Sequence, residues 1–382
     1  MNILMVNLPF SGHTNPTLPL AEGLVKRGHS VTYINAEQFR SPIEKTGARF
    51  VPYLDYPAQP SEEEKKRRCF LAAYRTAMAL DEPFDLLIYE MFFYPGIEIA
   101  RRKRIPCVRQ FSQPAWSEET WASASPVFKL SARLIDVQVF PKKTARYLGH
   151  EYACLRDGII RSSPELNIVY VPEAFQANRD SFGADYLFLV PEPSPARIER
   201  HIPYEKMTGP IVYISLGSII SNRGFCKECI RAFGGTEFSV ILNTGKVAPE
   251  SLGKIPANIY AYPFVPQLEV LSHADVFLTH CGMNSVNEAL TLGVPMVAMP
   301  FINDQVGNAR RIVELSLGKR VRSFPSRGKE LLAAVRAVYA DRTIKENVEK
   351  MRAAIREQIS WDAVIRRIES IPAQSRGDRQ NG

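Results

Sequence analysis

The stretch NILMVNLPFSGHTNPTLPLAEGLVKRGHSVTYIN, residues 2–35, carries the rhythm that decides the fold. Ile3–Leu8 is a compact apolar run of strand length, and Pro9–Asn15 is a glycine-containing loop. A helix follows, with Pro16 near its start, where a missing N–H costs little, and with Leu20, Leu24 and Val25 at helical spacing. Gly28 suits the left-handed cap that ends it, and Ser30–Asn35 is the next strand. Strand, helix and strand joined by short connections predict a βαβ unit, the building block of an open parallel sheet.

The rhythm continues outward. Asp85–Tyr89 and Cys107–Phe111 read as further strands of this sheet, with a helix over Gly96–Lys103 between them. Tyr56–Leu80 and Trp116–His150 are less regular and rich in aromatics. Residues 191–210 are proline-rich and charged with no sustained apolar period, which predicts a linker. After it strands recur at Ile211–Leu216, Ser239–Asn243, Asn258–Ala261, Val276–Thr279 and Met296–Met299, with helices including Ser285–Leu292 and Val306–Leu315. A long helical pattern spans Ile344–Ile368, and Ala373–Gly382 is polar, the composition of a frayed end. The fold class is therefore α/β, two doubly wound parallel-sheet domains in tandem. Such sheets bind ligands at the carboxyl ends of their strands where the strand order reverses, and two facing domains make a cleft.

Composition narrows the partners. The 382 residues are 45% hydrophobic and 23% charged, enough for two cores without covalent staples. The net charge of +8 suits an anionic substrate. It does not point to nucleic acid, because basic residues are interleaved with acidic ones, as in EEEKKRR at 62–68, which reads as a solvated helix face, and no binding motif accompanies them. Of six cysteines only Cys226 and Cys229 form a C-x-x-C pair, and no histidines complete a zinc set, so the bland reading is a buried helix face. With no secretory leader or membrane-length apolar run, a cytoplasmic location with no stable membrane insertion is expected.

The densest chemistry lies in FVPQLEVLSHADVFLTHCGMNSVNEALTLGVPMVAMPFINDQVGNARRIVE, residues 264–314. A strand ends at Thr279–His280, Cys281–Gly282–Met283 make a tight turn, and Asn284–Ser285 open a helix. Unsatisfied N–H groups and the positive dipole end then converge on one point, which suits a pyrophosphate. Gly282 allows close backbone approach, His280 can add a hydrogen bond, and Glu288, one turn beyond Asn284, can accept from both ribose hydroxyls. Asp304–Gln305 opens the next helix; by itself Asp304 reads as a helix cap, but beside this site the pair can grip sugar hydroxyls. In the first loop, His13 sits at the carboxyl end of the first strand. A lone loop histidine is more often a turn partner, yet a histidine near its own pKa can also deprotonate an alcohol.

Together the SGHTNP opening, the ISLGS strand end, the NTGK turn and the long 264–314 segment resemble the inverting UDP-glycosyltransferases of the GT-B fold, of the bacterial macrolide-glycosyltransferase (YjiC-like) type. The resemblance spans nearly the whole chain, and its specificity lies in the order and spacing of the pieces. It implies that His280, Gly282, Asn284 and Ser285 hold a diphosphate, that Glu288 holds the ribose and that Asp304 and Gln305 bind the donor sugar. It places Gln267 against the base and Phe264 where many relatives carry tryptophan, with Ser218 and Thr244 lining the donor site. It makes His13 the general base and aligns Glu90 with a usual Asp that fixes the histidine, a departure by one methylene, with Glu118 and Glu119 in reserve.

Acceptor candidates are the aromatics of the first half: Phe70, Tyr74, Phe92, Phe93, Trp116 and Trp121, joined by Tyr94 and Phe128, of which about half should instead be core. The implied layout is an acceptor domain over 1–195, a donor domain over 196–355, a helix at 356–372 packing back on the first domain and a flexible tail at 373–382. No D-x-D motif or metal-spaced cluster occurs, so no metal and no cofactor beyond a nucleotide sugar, UDP-glucose by resemblance, is expected. The acceptor would be a small, largely apolar natural product such as a macrolide or polyphenol. Two other readings fit this scaffold: a hydrolysing nucleotide-sugar epimerase and a catalytically silent nucleotide-sugar binder. A nicotinamide dehydrogenase does not fit, because the first loop holds Gly12 alone rather than G-x-G-x-x-G.

Overall fold

The computed structural model describes residues 1–124, 126–139, 142–152, 154–191, 200–217, 222–301, 304–322 and 328–380. The chain forms two compact units, one of Met1–Pro191 with Gln358–Gly382 and the other of Glu192–Glu357. Each is an α/β unit built on a single parallel sheet.

The first sheet has seven strands: β1 (Asn2–Val6), β2 (Ser30–Asn35), β3 (Arg49–Pro52), β4 (Leu86–Glu90), β5 (Cys107–Phe111), β6 (Leu166–Val169) and β7 (Tyr186–Phe188). Their order is β3-β2-β1-β4-β5-β6-β7, so the winding reverses between β1 and β4, paired in register Val6 to Tyr89. Nearly continuous burial along β1, β2 and β4 is why these strands read as apolar runs rather than alternating ones. Their side chains Ile3, Met5, Tyr33, Leu86 and Ile88 join a core completed by helix Leu18–Lys26 and by the C-terminal helix Trp361–Gln380, through Val364, Ile365, Ile368 and Ile371. These two helices touch closely: a Cβ at Gly23 would stand 2.7 Å from Ile365 Cδ1. Arg27 ties the same surfaces at the rim, 2.9 Å from Asp362 and 2.8 Å from Glu369.

The second sheet has six strands: β8 (Ile211–Ser215), β9 (Ser239–Asn243), β10 (Ile259–Tyr262), β11 (Val276–Thr279), β12 (Met296–Ala298) and β13 (Gly318–Arg320). The order β10-β9-β8-β11-β12-β13 reverses between β8 and β11. Among the described residues no helix is long and apolar enough to cross a membrane.

Several expectations need correction. Most of Tyr56–Leu80 is an 18-residue helix, Glu62–Ala79, begun by a capping box of Ser61 with Glu64. Its charged first half hides the period, and its buried stripe, Phe70, Ala73, Tyr74 and Ala77, lies in the second half. Trp116–His150 is helical too, over Glu118–Ser123, Pro126–Val139 and Lys142–Tyr147. The loop after β1 is a helical turn, Ser11–Thr14, running into a 3₁₀ turn over Asn15–Thr17. The long pattern from Ile344 is two helices, Arg342–Arg356 and Trp361–Gln380, parted where Gln358 turns its amide onto both backbone groups of Val190. Strands β3, β6, β7 and β13 are too short to leave a periodic signal.

Candidate functional site

In the first unit the polypeptide leaves β1 at the switch point, and a buried polar network shapes the turn that follows. Asn7 Nδ2 donates to Tyr33 Oη at 2.6 Å and Thr17 Oγ1 at 2.9 Å. Thr14 donates to the Leu8 carbonyl at 3.0 Å and accepts from Asn35 Nδ2 at 3.0 Å. Asn7, Thr14, Thr17 and Asn35 are all fully buried, so each bond replaces water that cannot reach them. This network fixes the backbone of His13.

The imidazole lies edge-on to Phe10 and Phe92, with ring centroids 5.8 and 5.2 Å away. His13 Nδ1 is 2.9 Å from Glu90 Oε1, and the histidine side chain is 25% exposed while Glu90 is wholly buried. The extra methylene of glutamate therefore leaves the contact at hydrogen-bond length. Glu90 Oε2 accepts the Phe92 N–H at 2.9 Å, and Oε1 accepts the Ser112 hydroxyl at 3.2 Å. Ser112 Oγ also lies 3.0 Å from His13 Nδ1. Sequence reasoning passed over Ser112. Its signal was position, since it directly follows β5, whose Gln110 pairs with Glu90 across the sheet. The reserve candidates lie elsewhere: Glu118 pairs with Arg156, and Glu119 begins the same short helix.

The aromatic candidates separate. From Phe92 a chain of ring contacts runs to Trp116 (6.0 Å) and on to Trp121 (5.5 Å) and Phe128 (5.3 Å). Phe70, Tyr74, Phe93 and Tyr94 are at most 4% exposed. Phe70 packs on Phe93 and Tyr94, and Tyr74 packs on His150. The structure gives these four, Phe70, Tyr74 and Phe93 of the acceptor candidates among them, a packing role. The row that begins beside His13 is Phe92, Trp116 and Trp121.

In the second unit β11 ends at Thr279, and the ten-residue helix Met283–Leu292 starts after Gly282. Between them Cys281 takes a left-handed conformation, φ 67°. That strain is held by three anchors: its N–H donates to Thr279 Oγ1 at 3.2 Å, its carbonyl accepts Asn308 Nδ2 at 3.0 Å, and its thiol is buried. Among the described residues no side chain caps this helix, so its first-turn N–H groups are open to an anion.

The role expected for Gly282 changes with the geometry. Its φ of −62° is ordinary, but a Cβ there would stand 2.6 Å from His280 Nε2. A Cβ at Gly217 would stand 2.6 Å from His280 Cε1, so both glycines make room for the ring. Burial pushes His280 down to about 4, which leaves it neutral near pH 7, and its Nδ1 has no protein partner among the described residues.

Gln267 is committed within the protein. Its Nε2 donates to Glu288 Oε2 at 2.5 Å and Ser285 Oγ at 3.2 Å, and its Oε1 accepts from Tyr213 at 3.0 Å. Burial pushes the Glu288 carboxyl above its usual range, opposed by the Gln267 bond. Thr244 is buried with its hydroxyl on the Val247 carbonyl at 2.6 Å, which shapes the loop after β9. Phe264 is 38% exposed. Asp304 and Gln305 begin helix Asp304–Glu314; Asp304 accepts from Asn308 at 3.3 Å and Gln305 Oε1 accepts the Phe301 N–H at 3.0 Å. Asn284 lies in the first turn after Gly282. Ser218 falls outside the described residues.

Two doubly wound units, each with polar groups gathered at its switch point, are the architecture of the GT-B fold. Residues 172–359 match the family described as "UDP-glucoronosyl and UDP-glucosyl transferase". The chain is 31% identical over 391 residues to the NDP-glycosyltransferase YjiC of Bacillus subtilis (strain 168), covering 98% of each. It is 28% identical to the oleandomycin glycosyltransferase of Streptomyces antibioticus, over all of this chain and 94% of that one. Among solved structures it resembles the glycotransferase of kitacinnamycin (TM-score 0.82, 26% identity, 96% of this chain and 98% of that one). It also resembles the calicheamicin glycosyltransferase CalG4 (TM-score 0.78, 26% identity, 97% and 98%). The chain belongs to the UDP-glucoronosyl and UDP-glucosyl transferase family, and it is an enzyme that transfers a sugar from a nucleotide-sugar donor to a small acceptor.

Proposed function

We propose that this enzyme transfers glucose from UDP-glucose, with inversion, to a hydroxyl of a small, largely apolar natural product such as a macrolide or polyphenol, and that His13 is the general base. The observation that carries the reading is the contact of 2.9 Å between His13 Nδ1 and the wholly buried Glu90 carboxylate. With Nδ1–H donating a hydrogen bond to Glu90, the ring keeps its lone pair on Nε2. Nε2 takes the acceptor's proton as the oxygen attacks the anomeric carbon, and Glu90 offsets the charge of the imidazolium. The bond to the diphosphate breaks on the opposite face, so an α-linked donor yields a β-glycoside. Open N–H groups after Gly282, with His280, receive the departing charge, so the step calls for no cation. An acceptor of aromatic or macrocyclic character is supported by the Phe92–Trp116–Trp121 row and by the substrate in the name of the oleandomycin relative.

A matrix of nucleotide sugars and phenol or macrolide acceptors, read by mass spectrometry, tests the reaction. Transfer with UDP-glucose is expected, and absence of transfer from every donor would sink the proposal. His13→Ala should lose about 10²- to 10⁴-fold in kcat while keeping its affinity for UDP.

A further inference from the structure

Burying a carboxylate without a cation is costly unless hydrogen bonds stabilise its charge. Glu90 is such a group: it is 0% exposed, and among the described residues no lysine or arginine pairs with it. Its neighbours of titratable type are Tyr33 on β2, Tyr53 beyond β3 and Cys69 on helix Glu62–Ala79, whose own shifts each include a contribution from Glu90. Burial raises all three, so they are uncharged at neutral pH and none offsets the carboxylate. Three donors do. Phe92 N–H serves Oε2, while Ser112 Oγ–H and His13 Nδ1 both meet Oε1.

Ser112 Oγ, Glu90 Oε1 and His13 Nδ1 form a triangle with sides of 3.2, 2.9 and 3.0 Å. Only two hydrogens lie within it, one on Nδ1 and one on the serine. Were Nδ1 bare, its lone pair would face the carboxylate at 2.9 Å. With the proton on Nδ1, both hydrogens can point at Oε1, and the serine oxygen remains as a second acceptor for Nδ1–H.

We propose that Ser112 is a positioning residue for the sugar transfer: its hydroxyl hydrogen-bonds the buried Glu90 carboxylate and locks the His13 imidazole with its proton on Nδ1. The inference rests on the reading of His13 as the base. Without the serine, the carboxylate loses one of its three donors and Nδ1–H loses its second acceptor, so the acid limb of the rate profile, which reports the His13–Glu90 pair as a unit, moves to higher pH.

The test is log(kcat/KM) against pH for wild type, Ser112→Ala, Ser112→Thr and His13→Ala, with UDP affinity and thermal melting recorded for each. For Ser112→Ala the acid limb should move up by about 0.5–1 pH unit. Its kcat should fall roughly 5- to 30-fold, with acceptor KM and UDP affinity within about twofold of wild type. Ser112→Thr, which keeps the hydroxyl, should restore both the limb and kcat. If the alanine variant does not fold, Ser112→Cys, a similar shape with a weak donor, carries the same expectation of a raised limb. An acid limb that coincides with wild type, or a loss of kcat that threonine does not repair, overturns the role of Ser112. A His13→Ala enzyme that retains turnover overturns the reading of the base instead.

Discussion

Replacing Glu90 with aspartate should impair this enzyme. The carboxylate would retract by about 1.5 Å, one C–C bond. His13 Nδ1 and Glu90 Oε1 now stand 2.9 Å apart, so the gap would open beyond 4 Å, past hydrogen-bond reach. The Ser112 contact, already 3.2 Å, opens with it. A hydrogen bond to a charged group contributes about 1.5–3 kcal/mol, which converts to a loss of roughly 10- to 150-fold in kcat. Glu90→Gln keeps the reach and removes the charge. A buried unit-charge pair about 4 Å between centres is worth roughly 4 kcal/mol at an effective dielectric of about 20, or near 10³-fold. The expected ranking is wild type, then Glu90→Asp, then Glu90→Gln. Initial rates of UDP release at saturating donor and acceptor give kcat, and UDP titration checks that the second unit is intact. An aspartate variant as fast as wild type would show that the longer arm is incidental and that the geometry argued from Glu90 is wrong.

Gly282→Ala would drive a Cβ to 2.6 Å from His280 Nε2, and UDP affinity should weaken about tenfold or more, read by calorimetry, with thermal stability little changed. Stability itself should fall on acidification. His280 is held near 4 against an ordinary 6.5, so between those values the unfolded chain binds the extra proton and the folded chain does not. Stability is thus retained above pH about 6.5 and declines below it, by at most about 1.4 kcal/mol per pH unit from this group. His150, also pushed to about 4 by burial, acts in the same sense. Urea melts from pH 7 to 4 test this, and His280→Asn should flatten the slope. The two sets of aromatics should also respond differently. Trp116→Ala should raise acceptor KM, whereas Phe93→Ala should cost about 3–5 kcal/mol of stability at unchanged KM.

Features written in continuous burial or in chain punctuation were legible before any coordinates. The strands Ser30–Asn35, Cys107–Phe111, Ser239–Asn243 and Val276–Thr279 have the bounds their apolar runs predict. So does the helix Gly96–Lys103, closed by a basic last turn. The helix Glu62–Ala79 escaped because its first two turns are charged, although Ser61 and Glu64 already spelled its cap. Site residues were readable where a strand end carries the polar group itself, as at His280 and Glu90. They were unreadable where the role depends on what a neighbouring strand brings alongside. Ser112 matters only because β5 lies beside β4, and Gln267 turns inward only because Glu288 and Tyr213 await it. Sequence cannot separate Phe92 from Phe93 either; adjacent in the chain, one touches His13 and the other is interior.

The C-terminal helix has a consequence for the order in which the polypeptide can fold during synthesis. Val364, Ile365, Ile368 and Ile371 complete the core begun by Ile3 and Leu20, so the first unit to be translated is the last to be finished. While residues 192–357 are made, on the order of ten to thirty seconds at typical elongation rates, the apolar face awaiting that helix has no covering from its own chain. The second unit, contiguous in sequence, is under no such delay. A ribosome-bound nascent chain halted before Trp361 should therefore hold a native second unit beside a first unit that still exposes apolar surface and engages chaperones.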